Sequence, residues 1–163
     1  MNLKLLLQIN AGLVASVAAC SSYAAAGQVQ FVSGEARIVL ASGGERGAQK
    51  GVEINEGDTV VTGPNTTVQL RMSDQGLIAV RPDSQLKIET YQFAGLEDGK
   101  ERGALALLRG GFRTITGLIG RTNKGNYLVR TPLVTIGIRG TDHEVVHIPV
   151  PAPGETAIGT PGS

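Results

Sequence analysis

From residue 27 onward, apolar and polar positions exchange places in short runs, and turn residues cut one run from the next. Val68, Leu70 and Met72 alternate with Thr67, Gln69 and Arg71, the period-two pattern of a strand with one buried face. The same alternation places Val29 and Phe31 on one side of a strand over 28–32. It turns Ala36, Ile38 and Leu40 inward over 35–40. Glu56-Gly57-Asp58, Gly63-Pro64-Asn65, Asp74-Gln75-Gly76 and Arg81-Pro82-Asp83-Ser84 punctuate the series. Glycine and proline set special backbone angles there, and the short aspartates bond their own backbone. Further strands are expected over 52–54, 59–62, 77–80, 85–89, 104–108, 112–115 and 127–130, and beyond Pro132, where Val134, Ile136 and Ile138 share a face. Residues 41–51 are expected to be a polar loop and Gly110-Gly111 a strand break. The most polar stretch, 92–103, is expected to be an exposed hairpin loop carrying Glu97, Asp98, Lys100, Glu101 and Arg102. Thr116 to Gly120 has too many glycines for more than a helical turn or a loop. Strands about 8–12 residues apart with turn signals between them imply an all-β fold. Many short, mostly antiparallel strands would form a roll, a solenoid-like stack or a sandwich.

Composition refines this picture. The 163 residues suit one domain of ordinary size. The chain has 23 glycines, no tryptophan and a net charge of +1, so charge balance suggests neither a nucleic-acid binder nor a polyanion. Residues 1–26 read as a signal peptide, with Lys4 before an apolar stretch from Leu5 to Ala19 that Gln8 and Asn10 interrupt. That stretch is too short and too polar for a membrane span, which needs about 20 mostly apolar residues. Two processing routes fit. Ser22-Tyr23-Ala24 or Ala24-Ala25-Ala26 offers small residues for simple cleavage, and Val17-Ala18-Ala19-Cys20 offers a lipobox that would leave Cys20 lipidated. Either route implies export to the periplasm, with the protein membrane-anchored as a lipoprotein in the second. Residues 27–148 are then the β domain, and 149–163 a Pro/Gly-rich tail, expected to be a shortened domain end. As the only cysteine, Cys20 excludes a disulfide framework and a cysteine metal cluster.

The candidate chemistry centres on Thr131 to His147. His143-Glu144-Val145-Val146-His147 spells the H-E-x-x-H of zinc proteases, which needs a helix to bring both imidazoles to one metal. Gly140 before it, Pro149 after it and the β-branched Val145, Val146 and Ile148 favour a strand instead. On a strand the two histidines stand about 13 Å apart, too far to share a metal. A protease is therefore the least favoured reading, and no catalytic, metal or cofactor residues are assigned. Every charged residue from Arg102 to Arg139 is basic. Either these side chains pair with carboxylates on neighbouring strands, or Arg113, Arg121, Lys124, Arg130 and Arg139 form a basic face for an anionic partner.

Four segments in order resemble the FecR domain. They are Glu56-Gly57-Asp58 with Val61-Thr62-Gly63; Val68-Gln69-Leu70 with Asp74 and Gly76; Val80-Arg81-Pro82-Asp83-Ser84-Gln85-Leu86-Lys87-Ile88; and Val129-Arg130-Thr131-Pro132 leading to Ile138-Arg139-Gly140-Thr141. The resemblance covers about Val29 to Val145. It implies a β-rich extracytoplasmic module in which Gly57, Asp58, Gly63, Pro82, Ser84, Thr131, Pro132, Gly140 and Thr141 are structural. His143 stands where the family carries an aromatic, which implies a packed, inward-facing ring. FecR-type proteins join such a domain, on the periplasmic side, to a membrane helix and a cytoplasmic anti-sigma segment. This sequence shows a signal peptide in place of that segment, so the anti-sigma role is not carried over. The expected function is a non-catalytic interaction or sensing module in envelope signalling. Its partner would be an envelope protein, such as an outer-membrane receptor, or a cell-wall polymer. The alternative is a structural, cell-wall-associated envelope protein.

Overall fold

The computed structural model describes residues 25–95, 99–122, 125–140 and 142–148. The chain forms β1 (Gly27–Ser33), β2 (Ala36–Val39), β3 (Glu45–Gly47), β4 (Glu53–Ile54), β5 (Thr59–Thr62), β6 (Thr67–Met72), β7 (Leu77–Val80) and β8 (Gln85–Gln92). The 14-residue β9 (Arg102–Ile115) follows, then α1 (Leu118–Thr122), β10 (Tyr127–Arg130), β11 (Thr135–Gly137) and β12 (Asp142–His147). The fold is all-β: one curled, mostly antiparallel sheet closes into a half-barrel.

The curl is organised around β9. Its first half runs between β8, antiparallel, and β10, parallel. Its second half runs between β7 and β12, both antiparallel. One arm of the sheet is therefore β3-β2-β5-β8-β9-β10-β11, and the other is β4-β1-β6-β7-β9-β12. The expected break at Gly110-Gly111 is instead a bend inside a continuous strand. Gly110 takes a left-handed conformation (φ 77°), which turns the strand from one arm to the other without ending its pairing.

Alternation along the strands fills the concave side. Val29, Ile38, Val60, Val68, Leu70, Ile78, Val80, Leu86, Ile88, Leu105, Leu107, Phe112 and Val129 belong to one buried cluster, which α1 completes with Ile119. Each such side chain contributes about 1.5–3 kcal/mol on burial, so this cluster dominates stability. Four expectations need correction. Phe31 is 51% exposed, because a bulge between Val29 and Phe31 shifts the register and turns Val32 inward in its place. Residues 41–51 are not all loop, since β3 pairs with β2 as a hairpin. Glu101 lies in the expected exposed loop but is only 3% exposed, beside Asn126, whose amide donates to its carbonyl (2.9 Å). Val134 and Ile136 are 53% and 36% exposed while Ile138 is buried. The cause is that β11 is an edge strand paired only with β10, and all three of its residues are exposed.

Candidate functional site

The turn residues singled out in the sequence converge on the strands that flank the bend. Ser84 is fully buried; its hydroxyl accepts from the Gly111 N–H (2.9 Å) and lies within donating distance of the Gly111 and Pro82 carbonyls (3.1 and 2.9 Å). Thr62 Oγ1 accepts from the Ser84 N–H (2.9 Å) and donates to the Arg81 carbonyl (2.6 Å). The Gly63 carbonyl receives the Asp83 N–H (3.2 Å). Together they fix the Arg81-Pro82-Asp83-Ser84 turn against the bend in β9.

The other motif residues are similarly occupied. Asp58 accepts from the Ala41 and Asn55 N–H groups, at 3.0 Å each. Gly57, at φ 85°, donates to the Ile88 carbonyl (2.6 Å). Glu56 accepts from the Tyr91 N–H (2.7 Å), next to the bulge between Ile88 and Thr90 in β8. Asp74 Oδ1 accepts from the Gly76 N–H (3.0 Å) and the Tyr91 hydroxyl (2.7 Å), and Oδ2 from the Ile119 N–H (3.1 Å). Thr131 closes the β10–β11 turn around Pro132 through the Val134 N–H (3.1 Å), and the Gly140 carbonyl accepts from Thr116 Oγ1 (2.9 Å). Apart from the Tyr91 hydroxyl on Asp74, the partners of these polar groups are backbone groups.

His143 and His147 both lie on β12, opposite Thr114 and Gly110. H-E-x-x-H is thus carried on a strand, and no three His, Cys, Asp or Glu side chains among the described residues could hold a metal ion. The His143 ring packs edge-on to Tyr127 and Phe112, with centroids 6.0 and 6.5 Å away, as the expected inward histidine. Its two nitrogens are buried without a hydrogen-bond partner among the described residues. Burial lowers the imidazole pKa below its ordinary 6.5, and the Asp142 carboxylate opposes that shift. A lowered folded-state pKa means that the unfolded chain takes up the proton first as pH falls. Between about pH 7 and pH 5 stability should therefore drop with acidification, and the slope should flatten in His143→Phe. Urea unfolding across that range checks this. A slope retained in His143→Phe would assign it to another group.

The basic side chains do not form one patch. Arg113 pairs with Asp142 on the outer face beyond the bend (2.6 and 3.0 Å). Arg130 pairs with Glu89 on the outer face before it (2.8 Å). Arg121 and Arg139 are exposed on α1 and after β11. Lys124, like Thr141 and Cys20, lies outside the described residues. What Arg130 joins instead is a trough of about 470 Å³ on the convex side of β8, β9 and β10, lined also by Lys87, Glu89, Arg102, Ala104 and Leu128.

A family model described as FecR protein matches residues 58–150, more than half of the chain. The chain belongs to the FecR family. No curated protein and no solved structure matched it. FecR proteins are a regulatory, signalling family, and no helix among the described residues is long and apolar enough to cross a membrane. The FecR match begins at Asp58, yet β1 and β2 lie in the same sheet, paired with β6 and β5. Within the FecR segment, Asp83, Ser84, Thr131 and Gly140 are all hydrogen-bonded as scaffold. Lys87 and Arg102 are not among the residues the sequence singles out for partner binding, because they sit on separate strands and only the β8–β9 register brings them to one face. The available signal was the alternation of Lys87 with the buried Leu86 and Ile88, which marks it as outward-facing.

Proposed function

We propose that this protein is an exported, non-catalytic FecR module that binds a partner in the bacterial envelope and serves in signalling there. The observation that carries this reading is the FecR match over 58–150, combined with the use of its polar motif residues in backbone hydrogen bonds. Catalysis needs polar groups held near reactants with spare bonding capacity, and Asp58, Asp74 and Ser84 are committed to the scaffold. Export is supported by the N-terminal pattern of Lys4, the apolar stretch to Ala19, and either Cys20 or the alanine cluster behind it. Periplasmic placement then puts the domain where receptor and cell-wall partners are found.

Fractionation of cells carrying a C-terminally tagged chain, followed by cross-linking and affinity recovery from the envelope, tests the proposal. The expected result is an extracytoplasmic protein that captures a membrane or periplasmic protein, with release from the membrane in Cys20→Ala if the lipobox is used. Retention in the cytoplasm would overturn the reading. Recovery of peptidoglycan without a protein partner would favour a structural envelope role.

A further inference from the structure

We infer that the trough over β8, β9 and β10 binds an extended acidic polypeptide segment, and that the Glu89–Arg130 pair occupies that site when it is empty. This deepens the partner-binding reading by giving the partner a surface and a chemistry.

The inference starts from the register. Lys87 and Arg130 are the two neighbours of Ala106, one on β8 and the other on β10. Thr90 and Leu128 likewise flank Ala104, and Gln92 faces Arg102. With strands about 4.8 Å apart, Lys87 and Arg130 stand roughly 10 Å from each other across the floor. Arg102 lies on the same face of β9, about 13 Å from Ala106 along the strand.

Ala106 is only 6% exposed although Leu105 and Leu107 on either side of it point into the core, and it is not part of the core cluster. Its cover is therefore on the outside. The Glu89 and Arg130 side chains meet across β9 at 2.8 Å, and the small alanines leave room for that strap.

The charges point to the ligand. Among the described residues that line the trough, Lys87, Arg102 and Arg130 face one carboxylate, Glu89, and neither Lys87 nor Arg102 has an ion-pair partner among the described residues. A solvent-exposed pair with side chains 51% and 27% exposed is only weakly held, so an incoming carboxylate can take the place of Glu89 on Arg130. An extended chain with acidic residues at every second position presents carboxylates about 6.6 Å apart on one side, so two such steps, about 13 Å, match the rise along β9 from Arg102 to the Ala106 level where Arg130 stands. The narrow floor of Ala104 and Leu128 takes the aliphatic stems of such side chains. A lipid surface or a bulky polyanion would need protruding cations on an open face.

The probe is a fluorescently labelled heptapeptide alternating glutamate and alanine, titrated by anisotropy at low salt. Saturable binding is expected, with about tenfold weaker affinity in Lys87→Glu and in Arg102→Glu, a loss of about one ion-pair contact each. Glu89→Gln should bind more tightly by about threefold, because the internal competitor is gone. Arg113→Glu, a reversal of equal charge beyond the bend, should leave affinity unchanged. The inference is overturned if Arg113→Glu weakens binding as much as Arg102→Glu, if Glu89→Gln has no effect or weakens it, or if heparin or anionic vesicles bind as well as the peptide. It is equally overturned if an envelope protein is recovered undiminished by Lys87→Glu and Arg102→Glu, and that result would leave the sensing role standing.

Discussion

Replacing Asp74 with alanine is expected to cost about 4 kcal/mol of stability, roughly 15 °C in Tm for a domain of this size. The carboxylate is fully buried and accepts three hydrogen bonds from parts of the chain far apart in sequence. The Gly76 N–H belongs to its own turn, the Tyr91 hydroxyl arrives from β8, and the Ile119 N–H comes from α1. Alanine leaves all three donors buried without an acceptor, at about 1–3 kcal/mol each before any water enters. Burial raises the Tyr91 phenol well above its ordinary pKa, so it remains a donor at every pH of interest. A cycle with Tyr91→Phe isolates the cross-arm bond. The double variant should be about 1–2 kcal/mol more stable than the two single effects sum to, because the phenylalanine orphans nothing. Additive effects in thermal or urea unfolding would mean that the bond does not form.

The second large effect is expected at Gly110. Its φ of 77° lies where side chains are disfavoured by about 1–2 kcal/mol. A methyl group there would also lie 2.2 Å from Ser84 Oγ, 2.7 Å from Ser84 Cα and 2.8 Å from the Asp83 carbonyl oxygen. Two of those atoms are backbone, so no rotamer change relieves the contact, and overpacking adds about 1–3 kcal/mol. Gly110→Ala should therefore lose about 4 kcal/mol, the sum of the two costs. Gly47→Ala, in a strand where an added methyl meets nothing within 4 Å, should change stability by less than about 0.5 kcal/mol. Equal stability of Gly110→Ala and the parent would place the bend elsewhere.

The fold was legible where local chemistry decides it. Strand alternation over 67–72 and the four glycine- or proline-bearing turns appear where the residues demand them, as does the strand character of His143 to His147. Three features depend on partners distant in sequence and could not be read locally. Gly110-Gly111 looked like a strand end because two glycines weaken a strand; Ser84, 26 and 27 positions upstream, holds them as a bend. Asp74 reads as a turn residue, and it is one, but its bond to Tyr91 exists only because the sheet curls. Phe31 alternates inward on paper and outward in the fold because of a bulge set by its pairing with β6. The trough was the least legible feature, since its cations come from three strands and one of those pairings is parallel.

Side-by-side unfolding and peptide-binding measurements on Asp74→Ala, Lys87→Glu and Arg102→Glu test most directly the claim that the FecR motif residues build the scaffold while recognition lies on the outer face. Asp74→Ala should melt early yet bind the acidic peptide with near-parental affinity at temperatures where it is folded. Lys87→Glu and Arg102→Glu should melt within about 2 °C of the parent and lose about tenfold in affinity. The claim is contradicted if the charge variants lose stability in step with binding, or if folded Asp74→Ala loses the peptide as fully as they do.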